Sequence, residues 1–223
     1  QLITEKTKAI VVVHYAGVAC DMDKVVKIAR RHKLTVIEDA AQAIDSYYKG
    51  KALGSIGDLG TFSFHETKNI QCGEGGLLSI NNAIYRERAE IIWEKGTNRS
   101  AFWRGEVDKY NWVDIGSSFL PSELNTSFLF AQLNEIEEIQ KRRKHIWKKY
   151  YNGLKILEEK NVILSQIPNY ATNNAHLFYL TCNSFKERTA LIDFLKKEGV
   201  MAVFHYICLH DSPYFIDEHD GRE

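Results

Sequence analysis

The chain has 223 residues, of which 44% are hydrophobic and 26% charged, as is usual for a globular protein with a sizeable core. Its 29 lysine and arginine residues equal its 29 aspartate and glutamate residues, so the formal net charge is zero. This balance argues against nucleic acid or an anionic membrane as a partner, because both require a basic excess or a basic stripe.

The four cysteines lie far apart and form no Cys-x-x-Cys pair, which indicates reduced thiols in a cytoplasmic protein. No apolar stretch approaches the roughly 20 residues that would span a bilayer. The first residue, Gln1, is not a natural initiator, so we expect the chain to be a piece of a longer product.

The first part of the chain predicts a βαβ unit. Ala9 to Val13 is an apolar, β-branched run typical of a strand that is covered on both faces. Asp21 can cap a helix from Met22 to about His32, and a second strand follows from Leu34 to Ile37. A strand, a helix and a strand within some thirty residues predict a parallel sheet with a right-handed crossover.

The elements that follow continue this α/β pattern and then change to an α+β pattern. Short strands are expected at 61–64 and 76–80, a helix at 82–95, and a long aromatic loop at 97–120. A helical stripe then runs from Pro121 to about Leu157. Beyond it, a strand is expected at 176–181, a helix at 185–198 and a strand at 200–204, as in an α+β domain. We therefore predict two domains, residues 1–145 and residues 146–223.

Three polar residues stand where predicted strands end. Asp39 closes one strand, while Ser63 and Lys68 lie at the end of another. In open α/β sheets functional groups collect at such ends, so a carboxylate, a hydroxyl and a lysine are expected in one crevice. A pyridoxal-type cofactor requires a lysine for its aldehyde, an acid for its ring nitrogen and donors for its phosphate. A surface lysine and an acidic turn or cap explain the same residues without any chemistry.

The motifs around these residues resemble the DegT/DnrJ/EryC1/StrS family of sugar aminotransferases. The resemblance rests on the string from Asp39 to Gly76 and on three shorter motifs elsewhere in the chain: His14-Tyr15-Ala16-Gly17, Leu120-Pro121-Ser122-Glu123-Leu124 and Val203-Phe204-His205-Tyr206. It covers nearly the whole chain and is strongest for the branch that makes dTDP-4-amino-4,6-dideoxygalactose. It implies fold type I, the aspartate aminotransferase-like fold, here as an incomplete mixed or parallel sheet flanked by helices plus part of a small α+β C-terminal domain.

The resemblance also implies a role for each matching residue. Lys68 matches the lysine that binds pyridoxal 5'-phosphate covalently and moves the substrate proton. Asp39 matches the partner of the ring nitrogen, Gln42 the residue near the ring oxygen, and Ser63 a phosphate ligand. His65, His205 and Tyr206 match positions on the substrate side. A metal site at His205, Cys208 and His210 is set aside, because it offers only three ligands within six residues.

The implied activity is transfer of an amino group from glutamate to a dTDP-4-keto-6-deoxyhexose, with a galacto product, for surface polysaccharide such as lipopolysaccharide. Members of the family are homodimers with shared active sites, which implies a partner for the loop at 97–120. They also carry an N-terminal segment that supplies a phosphate-binding turn and a ring that stacks on the cofactor. Residues 1–223 alone are therefore expected to be inactive, and a non-catalytic fragment or a binding protein with this fold is the alternative.

Overall fold

A four-stranded mixed sheet forms the centre of the first part of the chain. A computed structural model describes residues 2–215. Its main strands are β1 (Ala9–Val13), β2 (Thr35–Asp39), β5 (Leu59–Ser63) and β6 (Gly76–Ile80), and two short strands, β3 (Tyr47–Tyr48) and β4 (Lys51–Ala52), form a separate hairpin. The order in the sheet is β1-β2-β5-β6. The first three strands are parallel and β6 is antiparallel to β5, which confirms the expected mixed sheet.

Helix α1 (Met22–His32) connects β1 to β2 and forms the predicted βαβ unit. The side chain of Asp21 accepts a hydrogen bond from the backbone N–H of Lys24, so the predicted cap is present. The helix ends at Lys33, which adopts the left-handed conformation common at helix ends. Burial of its apolar face against the strands contributes to a core whose buried members include Val12, Met22, Ala29, Val36, Ala40 and Leu53.

The helices that follow differ in detail from the prediction. The expected helix at 82–95 is a 3-10 turn, Ala83–Tyr85, followed by α2 (Arg86–Trp93), and α3 (Arg99–Trp103) lies within the expected loop. The single long helix is in fact two, α4 (Glu123–Asn134) and α5 (Ile136–Leu154). Glu135 interrupts them with non-helical backbone angles, because its N–H donates to Gln132 in a tightened last turn.

The chain divides into two compact units. One contains the residues up to 155 together with 165–179, and the other contains 156–164 together with the residues from 180 onward. The predicted boundary at residue 145 falls inside α5, which continues to Leu154. The domain division of the full-length protein stays a prediction.

Among its residues up to 215, the second unit has a two-stranded ladder and one α-helix. Strands β7 (Ile163–Leu164) and β8 (Leu180–Thr181) are antiparallel, and α6 (Phe185–Lys197) is capped by Ser184. The predicted strand at 200–204 is wrong: among the described residues this segment joins no ladder. Phe204 instead packs on the guanidinium of Arg188, whose central carbon lies 4.5 Å from the ring centroid. None of the helices within residues 2–215 is long and apolar enough to cross a membrane.

Candidate active site

The carboxyl ends of three parallel strands meet at one edge of the sheet. Val13 pairs with Asp39 across β1 and β2, and Asp39 pairs with Thr61 across β2 and β5. Beyond the last pairs, the N–H of His14 donates to the carbonyl of Asp39 at 3.0 Å. Asp39 and Ser63 are therefore the last residues of neighbouring strands, at the edge where the sequence places them.

The turn after β2 holds the Asp39 carboxylate in place. Oδ1 of Asp39 accepts a hydrogen bond from the N–H of Ala41 at 3.0 Å. Within residues 2–215 the other oxygen, Oδ2, receives no hydrogen bond. The side chain of Gln42 ties the same turn to the end of β1, because its Oε1 accepts from the N–H of Ala16 at 2.6 Å. Asp39 thus has one oxygen fixed by the backbone and one that can accept a ligand proton.

Lys68 lies in a loop that we call the lysine loop, residues 64–75. The two ends of this loop are joined by backbone hydrogen bonds, from Phe64 N–H to the Gly75 carbonyl and from Cys72 N–H to the Phe64 carbonyl, each 2.8 Å long. The N–H of Lys68 donates to the carbonyl of His65 at 2.9 Å, which closes a tight turn. The loop therefore has a defined backbone conformation, and Lys68 is half-buried within it.

Apolar side chains anchor the lysine loop to the helices. Ile70 is fully buried, and with Phe64 and Cys72 it packs against Leu129 of α4 and against α5 through Ile136 and Ile139. This contact holds the loop against the two helices. The pKa of the Cys72 thiol is raised, first by burial and second by the nearby charge of Glu74, which disfavours the nucleophilic thiolate form.

The predicted substrate-side residues lie in different units. In the first unit, Nδ1 of His65 is 2.9 Å from Oγ1 of Thr67, so the ring contacts a polar group of its own loop. Ser63 Oγ accepts from the N–H of His65 at 3.3 Å. In the second unit, the rings of His205 and Tyr206 stack with their centroids 4.5 Å apart. Their roles toward a substrate stay predictions.

The rejected metal site also has a counterpart in the second unit. Potential ligand atoms of Cys208, His210 and Asp211 lie within 4.8 Å of one another, and this is a different set from the one considered in the sequence. Three ligands from one short turn do not complete a tetrahedral site.

A buried charged pair, His14 and Glu38, includes the residue that precedes Asp39 in β2. The sequence did not predict this pair. Nε2 of His14 is 2.9 Å from Oε2 of Glu38, and both side chains are 0% exposed. The carboxylate also accepts backbone hydrogen bonds from Gly54, Ile56 and Gly57 at 2.6 to 2.9 Å. The sequence here follows a strand pattern. Only the carboxylate of Glu38, at the end of an apolar run, indicates a buried partner.

The pair shifts the pKa of both members. Burial lowers the pKa of His14, but contacts with the Cys20 side chain and with Glu38 outweigh it and raise the pKa to about 9. Burial raises the pKa of Glu38, but the His14 contact and the backbone donors of the loop at 54–57 bring it below its usual value. The backbone of Cys20 acts against this increase in the pKa of His14. Its N–H donates to Nδ1 of the ring at 3.2 Å, which favours the neutral form.

A second buried polar group, which we call the amide cluster, consists of Asn69, Gln140 and Asn174. Their exposed fractions are 5%, 2% and 0%, respectively. The sequence offers one signal for it: Gln140 occupies a position on the apolar stripe of α5, four residues after Ile136. Asn69 follows Lys68 directly in the chain, so the cluster adjoins the candidate site.

The chain as a whole matches the family model described as the DegT/DnrJ/EryC1/StrS aminotransferase family over residues 1–223. The chain belongs to this family. Members of the family are aminotransferases that depend on pyridoxal phosphate, and the fold is the mixed sheet flanked by helices of fold type I.

Individual relatives agree with this assignment. An uncharacterized protein of Methanocaldococcus jannaschii, MJ1066, is 38% identical over 96% of the chain and 56% of its own length. The structure of S. venezuelae DesV in complex with a ketimine intermediate is 28% identical, with a TM-score of 0.84 over 98% of this chain and 56% of that one. The PMP form of the sugar aminotransferase Spr1654 from Streptococcus pneumoniae is 25% identical, with a TM-score of 0.85 over 97% of this chain and 58% of that one. The chain thus spans about half the length of the relatives that it matches.

The donor set at the strand ends fits the cofactor of this family. Asp39 presents a carboxylate oxygen for a protonated ring nitrogen, and Ser63 presents a hydroxyl of the kind that binds a phosphate. Lys68 carries a primary amine, the group that binds an aldehyde. Asp39 and Ser63 thus offer at this edge the groups that the sequence assigned to them, and the place of the Lys68 amine relative to them stays a prediction.

Proposed function

We propose that the full-length protein transfers an amino group from glutamate to the 4-keto carbon of a dTDP-linked 6-deoxyhexose, with Lys68 as the residue that binds pyridoxal phosphate. The product is a dTDP-4-amino-4,6-dideoxyhexose, and the galacto isomer is favoured. Such a product would serve the synthesis of surface polysaccharide, for which a cytoplasmic location is expected. The observation that carries the proposal is that, in a family member, Asp39 and Ser63 end adjacent strands and Lys68 lies in the loop that follows the second of them.

Each residue has a distinct task in this proposal. When bound, the cofactor supplies an electron sink that stabilises negative charge on the reacting carbon. Asp39 maintains the proton on the ring nitrogen, because a carboxylate beside that nitrogen raises its proton affinity. Ser63 donates to the phosphate, and the amine of Lys68 binds the aldehyde and moves a proton at the substrate carbon. Gln42 lies in the turn next to Asp39 and is assigned to the ring oxygen.

A second copy of the protein is the proposed partner that completes the site. The segment at 97–120 exposes large apolar side chains: Trp112 is 77% exposed, Ile115 86% and Phe119 60%. Exposed apolar groups in such number are typical of an interaction surface, and a homodimer would cover them. Sedimentation of the full-length protein should show a dimer that Trp112→Ser weakens, whereas a stable monomer would contradict this assembly.

The experiment that tests the function is chemical mapping of the cofactor-bound lysine. After borohydride reduction of the full-length protein, mass spectrometry should find the cofactor on Lys68, and Lys68→Ala should remove both the label and the activity. Lys27→Ala, at an exposed position of α1, is the matched control. A label on another lysine would overturn the assignment, and an unlabelled, inactive wild type would favour a non-catalytic protein.

The roles of Asp39 and of the substrate are tested with the same preparation. Asp39→Asn should retain much of the cofactor but lose most of the rate, since the electron sink fails, while Asp193→Asn, at an exposed position of α6, serves as the control. Near-normal turnover of Asp39→Asn would refute its role. With the 4-keto dTDP-sugar and glutamate, the product should carry an axial 4-amino group, and an equatorial amine or amination at C3 would move the protein to another branch of the family.

A further inference from the structure

We propose that Asn69 and Gln140 are positioning residues, which hold the backbone of Lys68 at a fixed place relative to the turn that follows Asp39. This inference rests on the proposed role of Lys68 as the cofactor-binding lysine. It is carried by the geometry of the amide cluster, whose hydrogen bonds connect the lysine loop to α5, to the turn after β2 and to the segment at 174–176.

The orientation of the Asn69 side chain is fixed by its partners. Nδ2 donates to the backbone carbonyl of Asn174 at 2.8 Å and to Oε1 of Gln140 at 2.9 Å. Because a backbone carbonyl can only accept, the nitrogen must point toward Asn174 and Oδ1 must point the other way. Oδ1 lies 2.9 Å from Nδ1 of His176, which therefore carries the hydrogen and donates. Both donors and the acceptor of this amide are in use.

Gln140 is fixed in the same way from the helix side. Its Nε2 donates to Oδ2 of Asp45 at 3.1 Å, and a carboxylate oxygen is an acceptor, so Oε1 is left to accept from Asn69. Asp45 belongs to the loop that follows β2. A single side chain on α5 thus joins the residue after Lys68 to the chain that leads away from Asp39.

Asn174 closes the connection to Gln42. Its Nδ2 donates to the carbonyls of Gln42 and Ile44, each at 2.8 Å, and its Oδ1 accepts from the N–H of His176 at 3.0 Å. Gly17, four residues after the end of β1, lies so close that a Cβ there would overlap the Asn174 amide and crowd the Gln42 carbonyl. The cluster therefore reaches the chain segments that follow β1 and β2.

Directional bonds are what a positioning role requires. The apolar contact of Ile70 with α4 and α5 holds the loop against the helices, but apolar packing alone tolerates sliding. A buried amide whose partners are all satisfied permits one arrangement, because any shift leaves donors or acceptors unpaired at considerable cost. Consecutive Cα atoms are about 3.8 Å apart, so a displacement of Asn69 is passed on to Lys68.

The test uses the full-length protein with Asn69→Ala and Gln140→Leu, and with Asn152→Ala, at an exposed position of α5, as the control. In the cofactor-free state, hydrogen exchange of the Lys68 amide should be about tenfold faster or more in both variants, because the lysine loop opens more readily. In the loaded state, kcat for the glutamate half-reaction should fall about 10- to 100-fold. KM should change by no more than about threefold, since the substrate contacts remain.

The outcomes separate this inference from the proposed function. If the wild type carries no cofactor on Lys68, the proposed function fails and the positioning role fails with it. If the wild type is loaded and active while both variants retain its exchange rate and kcat, only the positioning role is overturned. Gln140→Leu replaces a side chain of similar size, so it provides the test if Asn69→Ala does not fold. If neither variant folds, the cluster is a determinant of folding and the positioning role is wrong.

Discussion

Two buried polar groups adjoin the carboxyl end of β2, and they stabilise it by different means. The charged pair of His14 and Glu38 lies just before Asp39, whereas the amide cluster reaches the turn just after it. The first consists of groups that titrate, and the second of three neutral side chains. A charged pair is costly to break and the charge of each of its members depends on pH, while the three amide side chains do not titrate themselves. The strand end that carries Asp39 is thus held by one group of titrating side chains and one group of neutral side chains.

The largest expected effect is loss of stability when the charged pair is broken. In Glu38→Gln, the new amide N–H would face the N–H of Gly54. His14 would also lose its counter-charge. Removing one partner of a buried pair costs about 3 to 5 kcal/mol of unfolding free energy. Gln140→Leu, from the amide cluster, should cost only about 1 to 3 kcal/mol.

Urea unfolding of both variants beside the wild type measures this contrast. Glu87→Gln, at an exposed position of α2, is the matched control and should be close to neutral. If Glu38→Gln proved no more costly than Gln140→Leu, the distinction between the charged and the neutral group would be wrong.

The second prediction concerns pH and the charged pair alone. The pKa of Glu38 is lowered in the folded state, so its contribution is present above the unfolded pKa of about 4.5 and is lost as the pH falls below it. The pKa of His14 is raised from 6.5 to about 9, so its contribution is complete below pH 6.5 and declines as the pH rises toward 9. Stability should therefore be greatest between about pH 4.5 and 6.5.

Unfolding free energies measured from pH 4 to pH 10 test this predicted dependence of stability on pH. The loss on the alkaline side should be on the order of 3 kcal/mol, and Glu38→Gln should reduce it, because Glu38 is one of the two groups that raise the pKa of His14. Gln140→Leu should lower the stability but leave this alkaline loss in place, because the charged pair is retained. A flat alkaline limb in the wild type would show that the N–H of Cys20 keeps the His14 ring neutral.

The two buried groups also show where sequence reasoning ends. Hydrophobic period and capping predict β1, α1 and β6 correctly, because local preferences and burial agree there. The motif at 39–76 predicts which residues lie at the strand ends, since parallel strands bring their carboxyl ends together. The break at Glu135 and the missing strand at 200–204 depend on local hydrogen bonds and on the ring contact of Arg188, which no periodicity records.

The amide cluster could not be predicted because its members are distant in the chain. Asn69 and Asn174 are 105 residues apart, and Asn69 and Gln140 are 71 apart. Each is an ordinary polar residue in its own segment, and only the tertiary fold makes it buried and paired. The same holds for the charged pair, in which Glu38 stands beside the residue that the motif did identify.

The smallest effect is expected at the rim of the amide cluster. Nζ of Lys144 lies 2.9 Å from Oδ2 of Asp45, the same oxygen that accepts from Gln140. Lys144 is 46% exposed, so water screens this ion pair and competes for both partners. Lys144→Met retains the apolar stem and removes the charge, and it should change the unfolding free energy by less than about 1 kcal/mol. Addition of 1 M salt should reduce the difference further, and Lys148→Met, exposed on the same helix, controls for loss of charge. A change as large as that of Gln140→Leu would mean that the ion pair, and not the buried amide, holds Asp45 in place.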